Sequence, residues 1–262
     1  MTPIESILPL ASRGVLSLTG GGGKTSLMFH LARLLAETGK TVLTTTTTKI
    51  FTPATSQSET VLVAADPKEI LLRAAPFLER TGHVTAVAAR LDVAGKLKGF
   101  APEAMRLFED SGLFDWILVE ADGSARRPLK APAEHEPVIP ANTSVLIAVA
   151  GLEVLGRPLT EDLVFRAELA GELMGMAEQE IITECALARL FAHPSGLFKG
   201  APHQAARFIF LNKADNPERC EGGERIAALL QKNPGPVADT LIVGQALESI
   251  CVHACYSLSR QS

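Results

Sequence analysis

The sequence predicts an α/β protein with a mainly parallel sheet that helices cover on both faces. Three observations favour this class. Short apolar runs alternate with helical stretches along most of the chain, which is typical of βαβ units. Glycines separate the first apolar run from the first helix, as in P-loop NTPases. The run 116–119 is apolar throughout, which indicates a strand that is buried on both faces.

The predicted elements follow one another in a regular order. A strand at 15–18 leads through glycines into a helix over 24–37, whose leucines recur on one face and which Gly39 ends. Pro67 and Pro102 begin two further helices. Right-handed crossovers then bring the loops after the strands to one edge of the sheet. The remaining strands are predicted at 41–45, 60–64, 84–89, 116–120, 145–149, 208–211 and 240–243.

Composition limits the function classes. At roughly 150 residues per domain, 262 residues allow one large domain or two small ones. Since no linker is visible, we expect one P-loop NTPase domain over 1–262, with a mostly helical insertion at 151–205. A net charge of −4 argues against nucleic acid and a polybasic membrane contact as partners. No apolar run approaches ~18 residues and no basic leader begins the chain, so we expect a cytoplasmic protein.

The strongest motif is a glycine-rich loop. Backbone amides of successive glycines can surround phosphate oxygens, and a helix N-terminus adds partial positive charge. Lys24 would reach the β- and γ-phosphates, and the Thr25 hydroxyl would ligate Mg²⁺. The full P-loop pattern places a glycine where Leu18 stands, so the loop is the shortened form. The loop residues are Gly20, Gly21, Gly22, Gly23, Lys24 and Thr25.

A carboxylate follows the apolar run 116–119. Glu120 ends this predicted strand, where it can hold Mg²⁺, and Gly123 stands three residues later, where its amide can meet the γ-phosphate. Asp122 is the alternative or accessory metal ligand. Asp-Gly is also a common turn, so the metal-binding interpretation depends on the presence of the glycine loop in the same chain.

A base-reading motif follows the predicted strand 208–211. Asn212, Lys213 and Asp215 form Asn-Lys-x-Asp, in which the aspartate would accept hydrogen bonds from guanine N1–H and the exocyclic amine. The asparagine would brace neighbouring loops, and the lysine stem would pack along the base. This motif favours GTP over ATP.

A basic, proline-rich segment follows the carboxylates. Arg126, Arg127 and Lys130 are candidates for contact with the γ-phosphate or with a second anionic ligand. Further on, Glu134, His135 and Glu136 could bind a metal or transfer protons, although a solvated loop explains the segment equally well. The threonines at 44–48 lie at the same predicted edge, where a hydroxyl could reach Mg²⁺ or the γ-phosphate.

The four cysteines form no disulfide framework in a chain of this length. Cys251, His253 and Cys255 are the one cluster that could ligate a soft metal, but their spacing fits no standard zinc pattern. We therefore expect buried or incidental thiols.

Taken together, the motifs resemble known families. The chain order of glycine loop, Glu-x-x-Gly and Asn-Lys-x-Asp resembles SIMIBI-class GTPases, in particular their metallochaperone branch. Several stretches resemble the YqeC family, whose members are regarded as accessory proteins of selenium-dependent molybdenum hydroxylases. These stretches are TGGGGKT at 19–25, TTTTTKIF at 44–51, LVEADGSARRPLKAPAEHEPVIP at 118–140, HPSGLFKGAP at 193–202 and FLNKAD at 210–215.

The resemblance implies a role in maturation, with a partner enzyme of the molybdenum hydroxylase family or its cofactor machinery. Cys251 and Cys255 match no motif of that family, so we assign them no selenium chemistry. By analogy with SIMIBI proteins, a homodimer across the nucleotide face is expected.

The first function predicted is a Mg²⁺-dependent NTPase, with GTP favoured and with Lys24, Glu120, Arg126 and Arg127 as catalytic residues. The shortened loop also resembles that of Mur-type ligases, so an ATP-dependent ligase or a small-molecule kinase is the alternative. A third reading is a non-catalytic switch in which nucleotide gates the binding of a partner.

Overall fold

The computed structural model describes residues 2–92, 95–233 and 237–258. The helices are α1 Lys24–Glu37, α2 Pro67–Thr81, α3 Ala104–Asp110, α4 Ala167–Met174, α5 Glu184–Ala192 and α6 Pro217–Gln231. The strands are β1 Gly14–Gly20, β2 Val42–Thr46, β3 Lys49–Phe51, β4 Val61–Val63, β5 His83–Val87, β6 Ala89–Arg90, β7 Lys96–Lys98, β8 Trp116–Glu120, β9 Leu129–Lys130, β10 Thr143–Gly151, β11 Val164–Phe165, β12 Ala206–Asn212, β13 Thr240–Ala246 and β14 Ile250–Ser257.

Nine of these strands form the central sheet, in the order β14-β13-β12-β10-β1-β8-β2-β5-β4. Every neighbouring pair is parallel except β13 and β14, which are antiparallel. All seven residues of β1 and all five of β8 are buried, as expected for strands covered on both sides.

Helices pack on both faces of this sheet. On one face Leu27 and Leu31 of α1 join Leu16 and Leu18 of β1 in one core cluster. On the other face α2 and α3 cover one half of the sheet, and α4, α5 and α6 cover the other half. The predicted fold class, a mainly parallel sheet between helices, is confirmed.

Local capping explains where two of the helices begin. Asp66 accepts a hydrogen bond from the backbone N–H of Lys68 and stands before Pro67, the first residue of α2. Asn216 caps α6 in the same way, with Pro217 after it. The helix expected to start at Pro102 begins at Ala104, because Pro102 lies in the preceding turn.

Two small sheets flank the central one and carry no clear sequence signal. One has the order β3-β7-β6 and the other pairs β11 with β9. Between β10 and β12 the chain forms a short 3₁₀ turn, β11, α4 and α5. Treating this stretch as an insertion within a single domain stays a prediction. In the described ranges, no helix is both long and apolar enough to cross a membrane.

The edge strand β14 contains the cysteine cluster. Its pairing with β13 shifts register between Val243 and Gly244. As a result Val252 packs into the core on one face, whereas Ala254 packs on the other. Cys251 and Cys255 therefore point to opposite faces of the strand. No group of three or more potential metal ligands occurs among the described residues, so these cysteines and His253 do not form a metal site there.

Candidate functional site

The site lies at the carboxyl edge of the central sheet, where β1 runs between β8 and β10. The register pairs Leu18 of β1 with Glu120 of β8. Since both strands are parallel and end at the same edge, the glycine loop after β1 and the carboxylates after β8 are brought together.

The glycine loop joins β1 to α1, which begins at Lys24. Gly22 and Gly23 have φ values of +73° and +120°, in the region that favours glycine. A Cβ on Gly22 would lie 2.4 Å from the backbone N of Gly151, and one on Gly23 would lie 2.3 Å from Asn212 Nδ2. Side chains are therefore excluded by conformation and by space.

Lys24 is only 3% exposed and lies among carboxylates. Its Nζ is 3.1 Å from Asp122 Oδ1 and 4.0 Å from Glu120 Oε1, and it also donates a hydrogen bond to the carbonyl of Gly20. The Thr25 hydroxyl donates to Glu120 Oε2 over 2.6 Å. The predicted lysine, threonine and both acids are thus brought together.

The two acids differ in their surroundings. Burial raises the pKa of Glu120, and the nearby Lys24 charge opposes this rise. Asp122 is fully buried, and its Oδ2 accepts a hydrogen bond from the backbone N of Gly20 over 3.0 Å. Its Oδ1 makes no hydrogen bond, and its contact is the ion pair with Lys24. Two buried carboxylates beside a threonine hydroxyl form an oxygen-rich set that suits Mg²⁺.

A buried charge network extends from Asp122 through Lys130 and Glu136 to Arg166, which no sequence motif predicts. Lys130 Nζ lies 3.1 Å from Asp122 Oδ2 and 2.7 Å from Glu136 Oε2, and it donates to the carbonyl of Gly123. Arg166 Nη1 lies 2.6 Å from the same oxygen of Glu136. Lys130 is fully buried, with its donors directed at protein oxygens, so it holds carboxylates rather than facing a phosphate.

The same network separates the expected cluster of Glu134, His135 and Glu136. Glu136 is buried, whereas Glu134 and His135 are exposed. Burial by itself would raise the pKa of Glu136, but hydrogen bonds from Arg166 and Lys130 outweigh it and lower the pKa to about 2. The described residues thus contain no metal-binding group at these positions.

The segment with Arg126 and Arg127 lies against the glycine loop through its backbone. The carbonyl of Arg127 accepts a hydrogen bond from Gly22 N over 3.0 Å. The guanidinium of Arg127 donates to the carbonyl of Glu161, and that of Arg126 lies 4.1 Å above the ring of Phe51. Their assignment as catalytic residues stays a prediction.

Asn212 links three parts of the site. Its Nδ2 donates to the carbonyl of Gly22 over 2.7 Å, and its Oδ1 accepts from the backbone N of Ala246 over 2.9 Å. The neighbouring Lys213 forms an ion pair with Glu153. The asparagine thus braces the glycine loop against the end of β13.

Asp215 lies at the surface beyond this brace. Its side chain is half exposed, and its Oδ1 lies 2.6 Å from Arg219 Nη1. An exposed ion pair of this kind is weak, so the carboxylate can exchange Arg219 for another donor.

The threonines at 44–48 are engaged in packing. Thr45 donates to the carbonyl of Ala86, Thr46 to that of Glu120 and Thr47 to that of Val138, each over 2.7 Å. Thr44 is within 2.9 Å of His83, whose burial lowers its pKa to about 4. These hydroxyls fix the end of β2 against β8 and β5, and the residue after β2 against the segment that contains Val138.

Solved structures with a partly similar course of the chain include two proteins at low identity. The MinC:MinD cell division protein complex of Aquifex aeolicus aligns with 90% of this chain and 82% of that chain, at 12% identity and a TM-score of 0.46. FtsY from Mycoplasma mycoides aligns with 93% of this chain at 14% identity and a TM-score of 0.40, and this chain covers 65% of its length.

Sequence comparisons give a closer relationship. The family model described as YqeC protein matches residues 16–168, which include the glycine loop, both acids and the network around Lys130. The Escherichia coli (strain K12) protein named Uncharacterized protein YqeC is 36% identical over 218 residues, covering 83% of this chain and 81% of that protein. The chain therefore belongs to the YqeC family.

Proposed function

We propose that this protein binds a nucleoside triphosphate together with Mg²⁺ and hydrolyses it, with GTP preferred. The observation that carries the proposal is the group formed by Lys24, Thr25 and Glu120 at the start of α1, directly after four glycines. A buried lysine, a helix N-terminus and a loop without side chains are together suited to a polyphosphate. These groups lie at the edge of the sheet where the loops after the parallel strands meet.

The residues at the carboxyl edge fit a magnesium ion. Thr25 Oγ1 and Glu120 Oε2 lie 2.6 Å apart, and Asp122 Oδ1 is a buried oxygen that makes no hydrogen bond and lies 3.1 Å from Lys24 Nζ. Thr25 and Glu120 would hold the ion, with Asp122 as the alternative ligand. Bound Mg²⁺ would neutralise charge on the phosphate oxygens.

The protein groups around the phosphates act by positioning and by charge. Lys24 is paired with Asp122, and a γ-phosphate offers its ammonium group a competing anion at the same place. The backbone amides of Gly20, Gly21 and Gly22 donate to Asp122, Val149 and Arg127, so the amides at the start of α1, with those of Gly23 and Gly123, would face the phosphate oxygens. Arg126 and Arg127 follow closely in the chain and would approach the γ-phosphate when their present aromatic and backbone contacts open.

The preference for GTP is supported by the Asn-Lys-x-Asp segment. Asn212 ties the glycine loop to the end of β13, so the proposed phosphate and base sites would be mechanically connected. Lys213 and Asp215 lie at the surface of the same segment, where a base is accessible to them.

Family membership supports the biological context that we propose. The nucleotide cycle would serve maturation of a molybdenum- or selenium-dependent hydroxylase in the cytoplasm, with that enzyme or its cofactor machinery as partner. A homodimer across the nucleotide face is part of the same proposal.

Calorimetry with GTP, ATP and CTP in the presence of Mg²⁺ tests the proposal, together with phosphate release. Lys24→Ala should abolish triphosphate binding or turnover, because it removes the ammonium group at the phosphate loop. Circular dichroism checks that the variant is folded. A folded Lys24→Ala protein with unchanged affinity and hydrolysis would eliminate the phosphate site, and equal GTP and ATP affinities would favour the ligase or kinase alternative.

A further inference from the structure

The small sheet β3-β7-β6 has one buried and one exposed face. On the buried face Ile50 and Leu97 pack with Val87 in a separate core cluster. Because side chains alternate along a strand, the residues on either side of Ile50 and Leu97 point outwards. With Arg126, which packs onto Phe51, they form what we term the cationic face: Lys49, Phe51, Lys96, Lys98 and Arg126.

Two like charges oppose each other directly on the cationic face. Lys49 of β3 and Lys98 of β7 are register partners and both are exposed. Directly opposite residues in an antiparallel pair have Cβ atoms about 4.5–5.5 Å apart, and like charges in such positions are destabilising. No carboxylate in the described part of the chain forms an ion pair with these two lysines, with Lys96 or with Arg126. An external anion would relieve this repulsion.

Phe51 and Arg126 add a guanidinium stacked on an aromatic ring to the cationic face. Phe51 is 41% exposed, and Arg126 Cζ lies 4.1 Å and Lys96 Nζ 5.4 Å from the centroid of its ring. Arg126 has a φ of +63°, and Ala125 before it has a φ of +50°. Left-handed backbone at two consecutive residues other than glycine is strained and is typical of functional sites. A guanidinium stacked on a ring keeps the N–H groups at its edge available for a bidentate anion.

We propose that the cationic face binds the phosphate group of a small phosphorylated ligand, at a site separate from the glycine loop. Two lysines that oppose each other on neighbouring strands, with a guanidinium stacked on Phe51 of the same face, match one compact anion of high charge rather than dispersed carboxylates. Its four cations are Lys49, Lys96, Lys98 and Arg126; none belongs to the glycine loop, and Arg126 alone is also a candidate for contact with the γ-phosphate.

Two chain segments link the cationic face to the proposed triphosphate site: the one that leads from β2 into β3 and the one that leads from Gly123 to Arg126. Thr46, three residues before Lys49, donates to the carbonyl of Glu120, and Arg126 follows Gly123 by three residues. A ligand held here by its phosphate therefore lies beside the triphosphate rather than in its place. The inference stands independently of whether the glycine loop binds GTP.

Calorimetry with inorganic pyrophosphate tests the proposal. In the Lys24→Ala background, which removes the glycine-loop lysine, the protein should still bind pyrophosphate. Adding Lys49→Ala and Lys98→Ala should weaken that binding at least about tenfold, since each lost lysine removes a charge-assisted contact. The matched control adds Lys68→Ala and Lys232→Ala, two exposed lysines elsewhere, and should leave the affinity unchanged.

Each result supports or overturns the proposal. Equal losses of pyrophosphate affinity in the test and control variants would show that net charge alone causes the effect, and would overturn the proposal. Unchanged affinity in the test variant would overturn it as well. Hexaglutamate binding more tightly than pyrophosphate at equal ionic strength would overturn it in favour of an acidic peptide. If Lys24→Ala does not fold, the Lys49→Ala/Lys98→Ala pair in the wild-type background must lower the pyrophosphate stoichiometry by one site.

Discussion

Lys130→Met probes the buried network that supports the glycine loop. The substitution keeps a long apolar side chain but removes an ammonium group that is 0% exposed, together with its ion pairs to Asp122 and Glu136. Removing one partner of a buried pair costs about 3–5 kcal/mol. Arg166 still holds Glu136, and Lys24 still lies beside Asp122, so we expect the lower end, about 3 kcal/mol. That is a large share of a typical stability of about 5–15 kcal/mol.

Urea unfolding at neutral pH measures this loss, and the matched control is Arg106→Met. Arg106 pairs with Asp110 on the surface of α3, where 69% of its side chain is exposed. Because solvent screens such a pair, its removal should shift the unfolding midpoint little. A comparable loss of unfolding free energy in both variants would show that the buried network stabilises the protein no more than a surface ion pair does.

The loss should depend on pH in a defined direction. In the folded protein the pKa of Glu136 is lowered to about 2, below its usual value of about 4.3. Its contribution to stability is therefore fully present above the unfolded pKa and is lost as pH falls towards about 2. Since Lys130 supplies part of that lowering, the difference between wild type and Lys130→Met should narrow over this interval. A difference below about 1 kcal/mol at neutral pH, or one that stays constant down to pH about 2, would refute the reasoning.

Two further predictions concern the proposed chemistry. Glu120→Gln should reduce Mg²⁺-dependent phosphate release more than nucleotide affinity, because it alters the acid next to Thr25. If Asp122→Asn disables the protein and Glu120→Gln has no effect, Asp122 is the metal ligand. Wild type should prefer GTP to ATP by at least ~10-fold, and Asp215→Asn should shift that preference towards xanthosine triphosphate, whose 2-oxo group accepts from the new amide. Competition calorimetry measures the second effect, and equal affinities unchanged by Asp215→Asn would contradict base reading.

Much of the candidate site could be predicted because its signals are local. The strand before Gly20 and the helix after Gly23 are visible from hydrophobic periodicity. Parallel strands then bring their carboxyl ends to one edge, so Glu120 could be expected near Lys24 without knowledge of the strand order. The structure adds the distances and the unequal surroundings of Glu120 and Asp122.

Other features depend on contacts between distant parts of the chain. The proline-rich segment predicts that Lys130 faces solvent or an anionic ligand. In the structure Lys130 is buried, because it pairs with Glu136 and Asp122. Arg166, which completes this network, lies 30 residues beyond Glu136 and belongs to no motif. Local pattern does not determine which ion pairs form over such separations.

Strand pairing and register were likewise decided only by the tertiary structure. The opposition of Lys49 and Lys98 requires β3 to meet β7 in one particular register, and a shift in the β13–β14 pairing turns Cys251 and Cys255 to opposite faces. The sequence by itself determined the α/β class and the loop from Gly20 to Thr25, because periodicity and glycine conformation act over a few residues. Which charges become neighbours depended on long-range packing, since a one-residue change of register moves a side chain to the other face.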